Sequence, residues 1–193
     1  MSERDTTSLP HELRALAARV RLLVLDADGV LTDGRLYYGA DGEVVKAFHA
    51  HDGLGLRLLR NEGVQLAVIS GRAAPALERR LRDLRIHHVL LGRDDKQAGL
   101  LECLSSAGVS AEEAAFMGDD VLDLPGMRAV GLSIAVADAH QRVRHEAHWV
   151  TLAGGGRGAV REVADALLEA RGRLDAAVDE LLREHVGRGE NLQ

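Results

Sequence analysis

The chain has 193 residues, of which 46% are hydrophobic, so it is long enough to fold as one globular domain with a sizeable core. The formal net charge of -6 and an aromatic content of 3% argue against a nucleic-acid partner. A single cysteine, Cys103, excludes an internal disulfide, and we expect a cytoplasmic protein. No apolar run approaches the ~20 residues of a membrane helix, so no membrane association is expected.

Segments typical of strands alternate with segments typical of helices along most of the chain. This alternation predicts an α/β fold, a three-layer Rossmann-like and mostly parallel sheet with helices on both faces. We expect residues 1–20 to form an N-terminal helical extension, residues 21–170 the core domain and residues 171–193 a C-terminal tail. Extended segments around a Gly-Ala-Asp-Gly turn predict a small β-hairpin insertion at about residues 35–50.

Within the core, strands are predicted at residues 21–25, 64–69, 88–91, 114–117 and 132–136. The main helices are predicted at residues 9–20, 53–62, 73–84, 95–107, 140–145 and 159–168. Right-handed crossovers place the carboxyl ends of such parallel strands along one edge of the sheet. Side chains that follow the strands are therefore expected to meet there.

Two carboxylates directly follow the first predicted strand. Asp26 and Asp28 are two residues apart, so they can face one small site at the carboxyl end of the strand, where open α/β sheets bind ligands. Neighbouring carboxylates repel unless a cation or a shared proton compensates, which points to a hard metal such as Mg²⁺. One carboxylate can then act as a nucleophile and the other as an acid/base. The alternative is a plain turn, since Asp and Gly are common turn residues.

Further strand ends carry polar groups suited to phosphate or metal. Ser70 offers a hydroxyl to phosphate oxygens, or it caps the next helix. Lys96 opposes the helix dipole in the first turn of its helix, which makes sense if it reaches a phosphate or the nucleophile; otherwise it is a surface lysine. The acidic residues after the strand at 114–117 predict metal ligands with supporting groups, or a cluster of helix caps, and they are Asp119, Asp120 and Asp123.

Together these segments supply the nucleophile, charge clamp and metal site that phosphoryl transfer needs. The sequence resembles the haloacid dehalogenase superfamily of aspartate-nucleophile phosphatases over about residues 21–168. The resemblance implies that Asp26 attacks phosphorus and forms an aspartyl-phosphate, and that Asp28 protonates the leaving alcohol and then activates water. It implies that Ser70 and Lys96 hold the phosphoryl oxygens.

The same resemblance implies a Mg²⁺ cofactor held by the Asp26 carboxylate, the Asp28 backbone carbonyl and Asp119. Asp120 and Asp123 are expected to support this acidic site. We also expect substrate-binding groups near the phosphate, where an arginine can bind a carboxylate or hydroxyls. They are Gly29, Thr32, Gly71 and Arg72.

Only about 35 residues separate Asp33 from Ser70, so a hairpin fits between them and a cap domain does not. The detailed pattern, including the run DADGVLTDG at residues 26–34, is similar to a capless subgroup, the 3-deoxy-D-manno-octulosonate 8-phosphate phosphatases. That resemblance implies hydrolysis of an eight-carbon keto sugar acid phosphate in lipopolysaccharide precursor biosynthesis. It also implies a homotetramer with hairpins at the interface, in which a neighbour shields the site.

Two other functions stay open: a phosphatase for a nine-carbon keto sugar acid 9-phosphate, and a non-catalytic tetrameric assembly module. The role of the glycine-rich residues 154–158 also stays open, because they suit either a flexible rim that closes over substrate or a loop that enters a helix. His49 and His51 are expected on one face of the second hairpin strand.

Overall fold

The computed structural model describes residues 9–40 and 42–190. Its main sheet contains β1 (Leu22–Leu25), β4 (Gln65–Ser70), β5 (His88–Leu91), β6 (Ala114–Gly118), β7 (Leu132–Ala135) and β8 (Trp149–Val150). These six strands lie in the order β5-β4-β1-β6-β7-β8, and all neighbours are parallel. A separate antiparallel hairpin consists of β2 (Tyr37–Gly39) and β3 (Gly42–Val45).

Helices cover both faces of the sheet. They are α1 (Arg14–Arg19), α2 (Ala50–Asn61), α3 (Pro75–Leu84), α4 (Lys96–Ala107), α5 (Leu124–Met127), α6 (Gln141–Glu146), α7 (Ala159–Ala170) and α8 (Leu174–Glu190). On one face α2 packs against α7, with α1, α3 and α8 beside this pair, and α4 and α5 pack on the other face. The predicted fold class is confirmed.

The unbroken apolar run at the start of the core domain forms the central strand β1. All four of its residues are fully buried, as expected for a strand covered by helices on both faces. Between β1 and β4 the described residues hold the hairpin and α2, so no cap domain stands in that segment. No helix in the described ranges has the length and apolarity to cross a bilayer.

The structure differs from the sequence-based expectations after the hairpin and at the C-terminal end of the chain. The prediction that His49 and His51 lie on a hairpin strand is wrong, because β3 ends at Val45, His49 directly precedes α2 and His51 lies within that helix. The charged segment after residue 171 forms the 17-residue α8, which packs against α2 and α7. Residues 1–8 of the predicted extension and 191–193 of the predicted tail lie outside the described residues.

Candidate active site

The carboxyl ends of β1, β4 and β6 lie side by side in the middle of the sheet. The chain connections run outward from β1 in both directions, which makes this edge the switch point where open α/β sheets bind ligands. A cavity of about 520 Å³ opens here. Most of the predicted site residues line it, namely Asp26, Asp28, Ser70, Gly71, Arg72, Lys96, Asp119, Asp120 and Asp123.

Lys96 reaches from the first turn of α4 to the carboxylate of Asp26, which its ammonium group contacts directly. The same nitrogen lies 3.2 Å from Oδ1 of Asp123 and donates to the carbonyl of Ile69 at 2.6 Å. Burial lowers the pKa of Lys96, but the attraction of Asp26 and Asp123 outweighs it, so the net pKa is raised. The lysine is therefore a buried cation beside the predicted nucleophile and not a surface group.

Asp123 organises the loop that follows β6. Its Oδ2 accepts hydrogen bonds from the backbone N–H groups of Asp119 at 3.0 Å and Asp120 at 3.2 Å, while its Oδ1 faces Lys96. Asp120 caps the short 3₁₀ turn that follows, accepting from the Val121 N–H at 2.7 Å. Both oxygens of Asp123 are thus engaged by the protein.

The protein gives the Asp119 carboxylate no ionic or hydrogen-bonding partner among the described residues. Burial, followed by repulsion from Asp26 and Asp123, raises its pKa to about 8. Burial and Asp123 likewise raise the pKa of Asp26 to about 6, although Lys96 opposes the rise. One oxygen of each of these three aspartates lies within 4.8 Å of the others. Such mutually repelling oxygens fit a hard divalent cation, with Asp26 and Asp119 the freer ligands.

Asp28 is held by a lysine that the sequence analysis missed. Lys46, just after β3, places its Nζ atom 2.5 Å from Oδ1 of Asp28 and 2.7 Å from Oε1 of Glu43. Oδ2 of Asp28 is buried and has no hydrogen-bond partner among the described residues. A lysine between apolar residues, where a strand of the hairpin ends, is the sequence signal that was available.

The segment after β4 combines a hydroxyl with a guanidinium group. Ser70 is buried and lines the cavity, and its Oγ accepts from the backbone N–H of Arg72 at 3.2 Å. The cap of α3 is Ala74, so Ser70 does not serve as that helix cap. Arg72 donates to the hydroxyl of Tyr38 at 3.1 Å, which brings the hairpin to the edge of the cavity. A Cβ atom on Gly71 would lie 2.4 Å from Oδ1 of Asp94, the end of an exposed side chain that would have to move to make room.

Gly29 and Thr32 shape the loop after β1 and are absent from the lining of the cavity. The Thr32 hydroxyl accepts from the N–H groups of Gly29 at 3.4 Å and Gly34 at 3.2 Å. Gly29 has a φ of 94°, and a Cβ atom on it would lie 2.0 Å from Oδ2 of Asp119. The loop thus approaches Asp119 closely, and both residues contribute through its shape.

Fold and site together define a class of enzyme. An aspartate pair after β1, a hydroxyl after β4, a lysine on α4 and acids after β6 are the arrangement that the sequence analysis expected of haloacid dehalogenase-type phosphatases. The family described as haloacid dehalogenase-like hydrolase matches residues 87–155.

Longer similarities place the chain within that class. A 3-deoxy-D-manno-octulosonate 8-phosphate phosphatase from Haemophilus influenzae is 45% identical over 154 residues, which cover 80% of this chain and 86% of the relative. The cobalt-bound form of the Haemophilus influenzae phosphatase has a TM-score of 0.81 at 43% identity, covering 82% of this chain and 93% of that chain. The Moraxella catarrhalis enzyme, solved with a magnesium ion, a phosphate ion and KDO, has a TM-score of 0.86 at 35% identity, covering 90% and 99%. The chain belongs to the 3-deoxy-D-manno-octulosonate 8-phosphate phosphatase family of the haloacid dehalogenase superfamily.

Proposed function

We propose that this chain hydrolyses 3-deoxy-D-manno-octulosonate 8-phosphate to the free keto sugar acid and inorganic phosphate, in the formation of a lipopolysaccharide precursor. The observation that carries the proposal is the buried contact between Lys96 and Asp26 beside the unpaired Asp119, at the switch point of the sheet. Family membership supports the substrate. The cytoplasmic setting predicted from the single cysteine is part of the same proposal.

Asp26 is the proposed nucleophile. One of its carboxylate oxygens forms a bond to phosphorus while the bond to the sugar oxygen breaks, which gives an aspartyl-phosphate. Lys96 keeps the carboxylate charged and in place, and its ammonium can offset negative charge on the phosphoryl oxygens. Ser70, buried at the same edge, offers its hydroxyl to one of those oxygens.

The residues that would hold a divalent cation are Asp26, Asp119 and the backbone carbonyl of Asp28, with Asp120 and Asp123 in support. We propose Mg²⁺, since the donors are all hard oxygens and phosphate oxygens commonly complete its coordination. When bound, the ion supplies positive charge that lets an anionic phosphate approach anionic carboxylates. Asp28 then serves as the acid that protonates the leaving oxygen and as the base that deprotonates the attacking water.

The sugar acid has a carboxylate and several hydroxyls besides its phosphate. Arg72 is exposed at the rim of the cavity and its guanidinium is the proposed partner for that carboxylate or for the hydroxyls. Its bond to Tyr38 holds it beside the hairpin. We assign Gly71, Gly29 and Thr32 the task of shaping the loops around the bound substrate.

The hairpin is the proposed interface of a homotetramer. Four of its apolar or aromatic side chains are between 41% and 63% exposed, and they are Tyr37, Tyr38, Val44 and Val45. Large exposed apolar patches on soluble proteins commonly mark interaction sites. A Val44→Lys variant should shift the mass measured by light scattering to smaller species, whereas an unchanged tetramer would exclude the hairpin as the interface.

The central test is phosphate release from 3-deoxy-D-manno-octulosonate 8-phosphate and from a nine-carbon keto acid 9-phosphate, each with Mg²⁺ and with chelator. We expect a Mg²⁺-dependent kcat/KM that favours the eight-carbon substrate. Asp26→Asn should lower turnover on the order of 10⁴-fold. The matched control is Asp175→Asn, the same change at an exposed position of α8, which should leave turnover unchanged.

Each outcome separates the candidates. Preference for the nine-carbon compound would keep the mechanism and change the substrate. Normal assembly with no turnover of either compound would support a non-catalytic assembly module. Full activity of Asp26→Asn would contradict the proposed nucleophile.

A further inference from the structure

Lysine is rare in this chain. Lysine and arginine together number 24, yet only Lys46 and Lys96 are lysines. Both are buried at the same site, and each contacts one of the two carboxylates after β1: Lys96 contacts Asp26, and Lys46 contacts Asp28. Arginine carries a broad planar fork and lysine a compact charge on a flexible stem, so the two are not interchangeable in a small buried space. Both lysines of the chain thus lie at this one site.

Lys46 contacts one of the two carboxylate oxygens of Asp28. The lysine side chain is 1% exposed, and its Nζ atom lies 2.5 Å from Oδ1 of Asp28. Oδ2, on the same carboxylate, is buried without a partner in the described part of the chain. Rotation of the carboxylate would break the contact with Lys46, so the lysine fixes the orientation of Asp28 beside the cavity that it lines.

Glu43 fixes Lys46 from the other side. Its Oε1 lies 2.7 Å from the lysine ammonium, and its side chain is itself largely buried. Glu43 belongs to β3 and Lys46 follows that strand, so the hairpin supplies both members of the pair. The position of the hairpin therefore determines the position of Asp28.

We propose that Lys46 is a positioning residue that holds the Asp28 carboxylate in place for proton exchange with the leaving oxygen and with water. This inference rests on the proposed phosphatase function. In the first step the bond between Asp26 and phosphorus forms, the bond from phosphorus to the sugar oxygen breaks, and the proton on the Asp28 carboxyl group passes to that oxygen. In the second step a water oxygen bonds to phosphorus, the bond to Asp26 breaks, and one water proton passes to the Asp28 carboxylate.

A double-mutant cycle on the sugar phosphate tests whether Lys46 acts through Asp28. Lys46→Met should lower kcat/KM about 10- to 100-fold in the wild-type background, the size expected when a catalytic group is misplaced. In an Asp28→Asn background the same change should have almost no further effect, because the group that it positions is already inactive. Equal losses in both backgrounds would overturn the proposal, since an independent structural role would multiply with the loss of Asp28.

The leaving group provides a second readout that does not depend on how much protein is folded. p-Nitrophenolate departs without protonation, whereas a sugar alkoxide needs an acid. Lys46→Met should therefore lower kcat/KM for the sugar phosphate more than for p-nitrophenyl phosphate, by about tenfold in the ratio. Partial unfolding lowers both rates equally, so an unchanged ratio would contradict the proposal.

Two further variants complete the design. Glu43→Gln removes the second partner of Lys46 but leaves the contact with Asp28, so its ratio of the two rates should stay closer to wild type than that of Lys46→Met. Lys46→Gln keeps a hydrogen-bond donor on a slightly shorter side chain and should recover part of the ratio. Loss of the proposed phosphatase function would show separately, as a wild-type protein that turns over neither substrate.

Discussion

A Cβ atom on Gly155 would lie 1.7 Å from the carbonyl oxygen of Gly29, so the glycine-rich segment stands directly against the active-site loop. The N–H of Gly155 donates to Oδ1 of Asp138 at 2.9 Å, and the N–H of Gly156 donates to the carbonyl of Val30 at 2.9 Å. These contacts fix the segment against the loop that carries Asp28. The structure therefore favours a packed support over a flexible rim.

Gly155→Ala should displace the active-site loop, because the added methyl group meets backbone atoms that cannot move independently. We expect kcat/KM to fall at least about tenfold, since a shift of about 1 Å in a catalytic group can cost about 100-fold. Steady-state kinetics on the sugar phosphate measure this. Gly108→Ala is the matched control, because a Cβ atom there meets nothing within 4 Å; its φ of 62° should cost about 1 kcal/mol of stability and leave kcat/KM unchanged. Equal kinetics for both variants would contradict the packing argument.

Asp52 links α2 to the start of α7. It is 2% exposed, and its Oδ1 accepts from the backbone N–H of Arg161 at 2.9 Å. Asp52→Ala should lower the free energy of unfolding by about 1–2 kcal/mol, the size of a lost helix cap. Urea denaturation measures the change, with Asp175→Ala on exposed α8 as the control. A loss no larger than that of the control would mean that this contact contributes little to stability.

Much of the site could be predicted because its residues follow strands, and parallel strands bring their carboxyl ends together. Asp26, Ser70 and Asp119 each directly follow or end a strand, so their meeting depends only on the topology of the sheet. Lys96 was predictable for a different reason, since a cation in the first turn of a helix is unfavourable without a partner. Apolar segments also predicted five of the six strands of the sheet to within a residue at each end, whereas the two-residue β8 was not predicted.

Lys46 could not be predicted by the same argument. It follows a hairpin that lies outside the main sheet, and strand periodicity says nothing about where such an insertion folds back. Its partner Asp28 is 18 residues away along the chain. The placement of His49 failed for a related reason, because local alternation does not reveal that β3 ends at Val45 and a helix begins at residue 50.

Cys103 should be inert to thiol reagents in the folded protein. Its side chain is buried in α4, and burial raises its pKa to about 11. The thiolate is the reactive form, so at pH 8 very little of the group can react. Labelling with a maleimide should be slow in buffer and complete in denaturant, as measured by mass spectrometry. Rapid labelling in buffer would indicate that α4 opens easily, and the same experiment on the Mg²⁺-loaded protein shows whether bound metal closes it.

The metal-free protein should lose stability as the pH rises, and Asp119 should contribute to that loss. Its pKa is raised in the folded state from 3.8 to about 8, so folding favours the protonated carboxyl. The stability that it contributes is fully present below its unfolded pKa of 3.8 and is lost as pH rises through about 8. In chelator, Tm should therefore fall as pH is raised from 5 to 9, and Mg²⁺ should reduce the fall because it binds the charged form.

Asp119→Asn separates this contribution from that of all other titrating groups. The amide cannot ionise, so the variant in chelator should be more stable than wild type at the upper end of the pH range and should show a flatter dependence of Tm on pH. It should also gain less from Mg²⁺, because it lacks one of the proposed ligands. Parallel Tm curves for the two proteins in chelator would mean that ionisation of Asp119 does not destabilise the folded protein. The cation would then be held mainly by Asp26 and its neighbours.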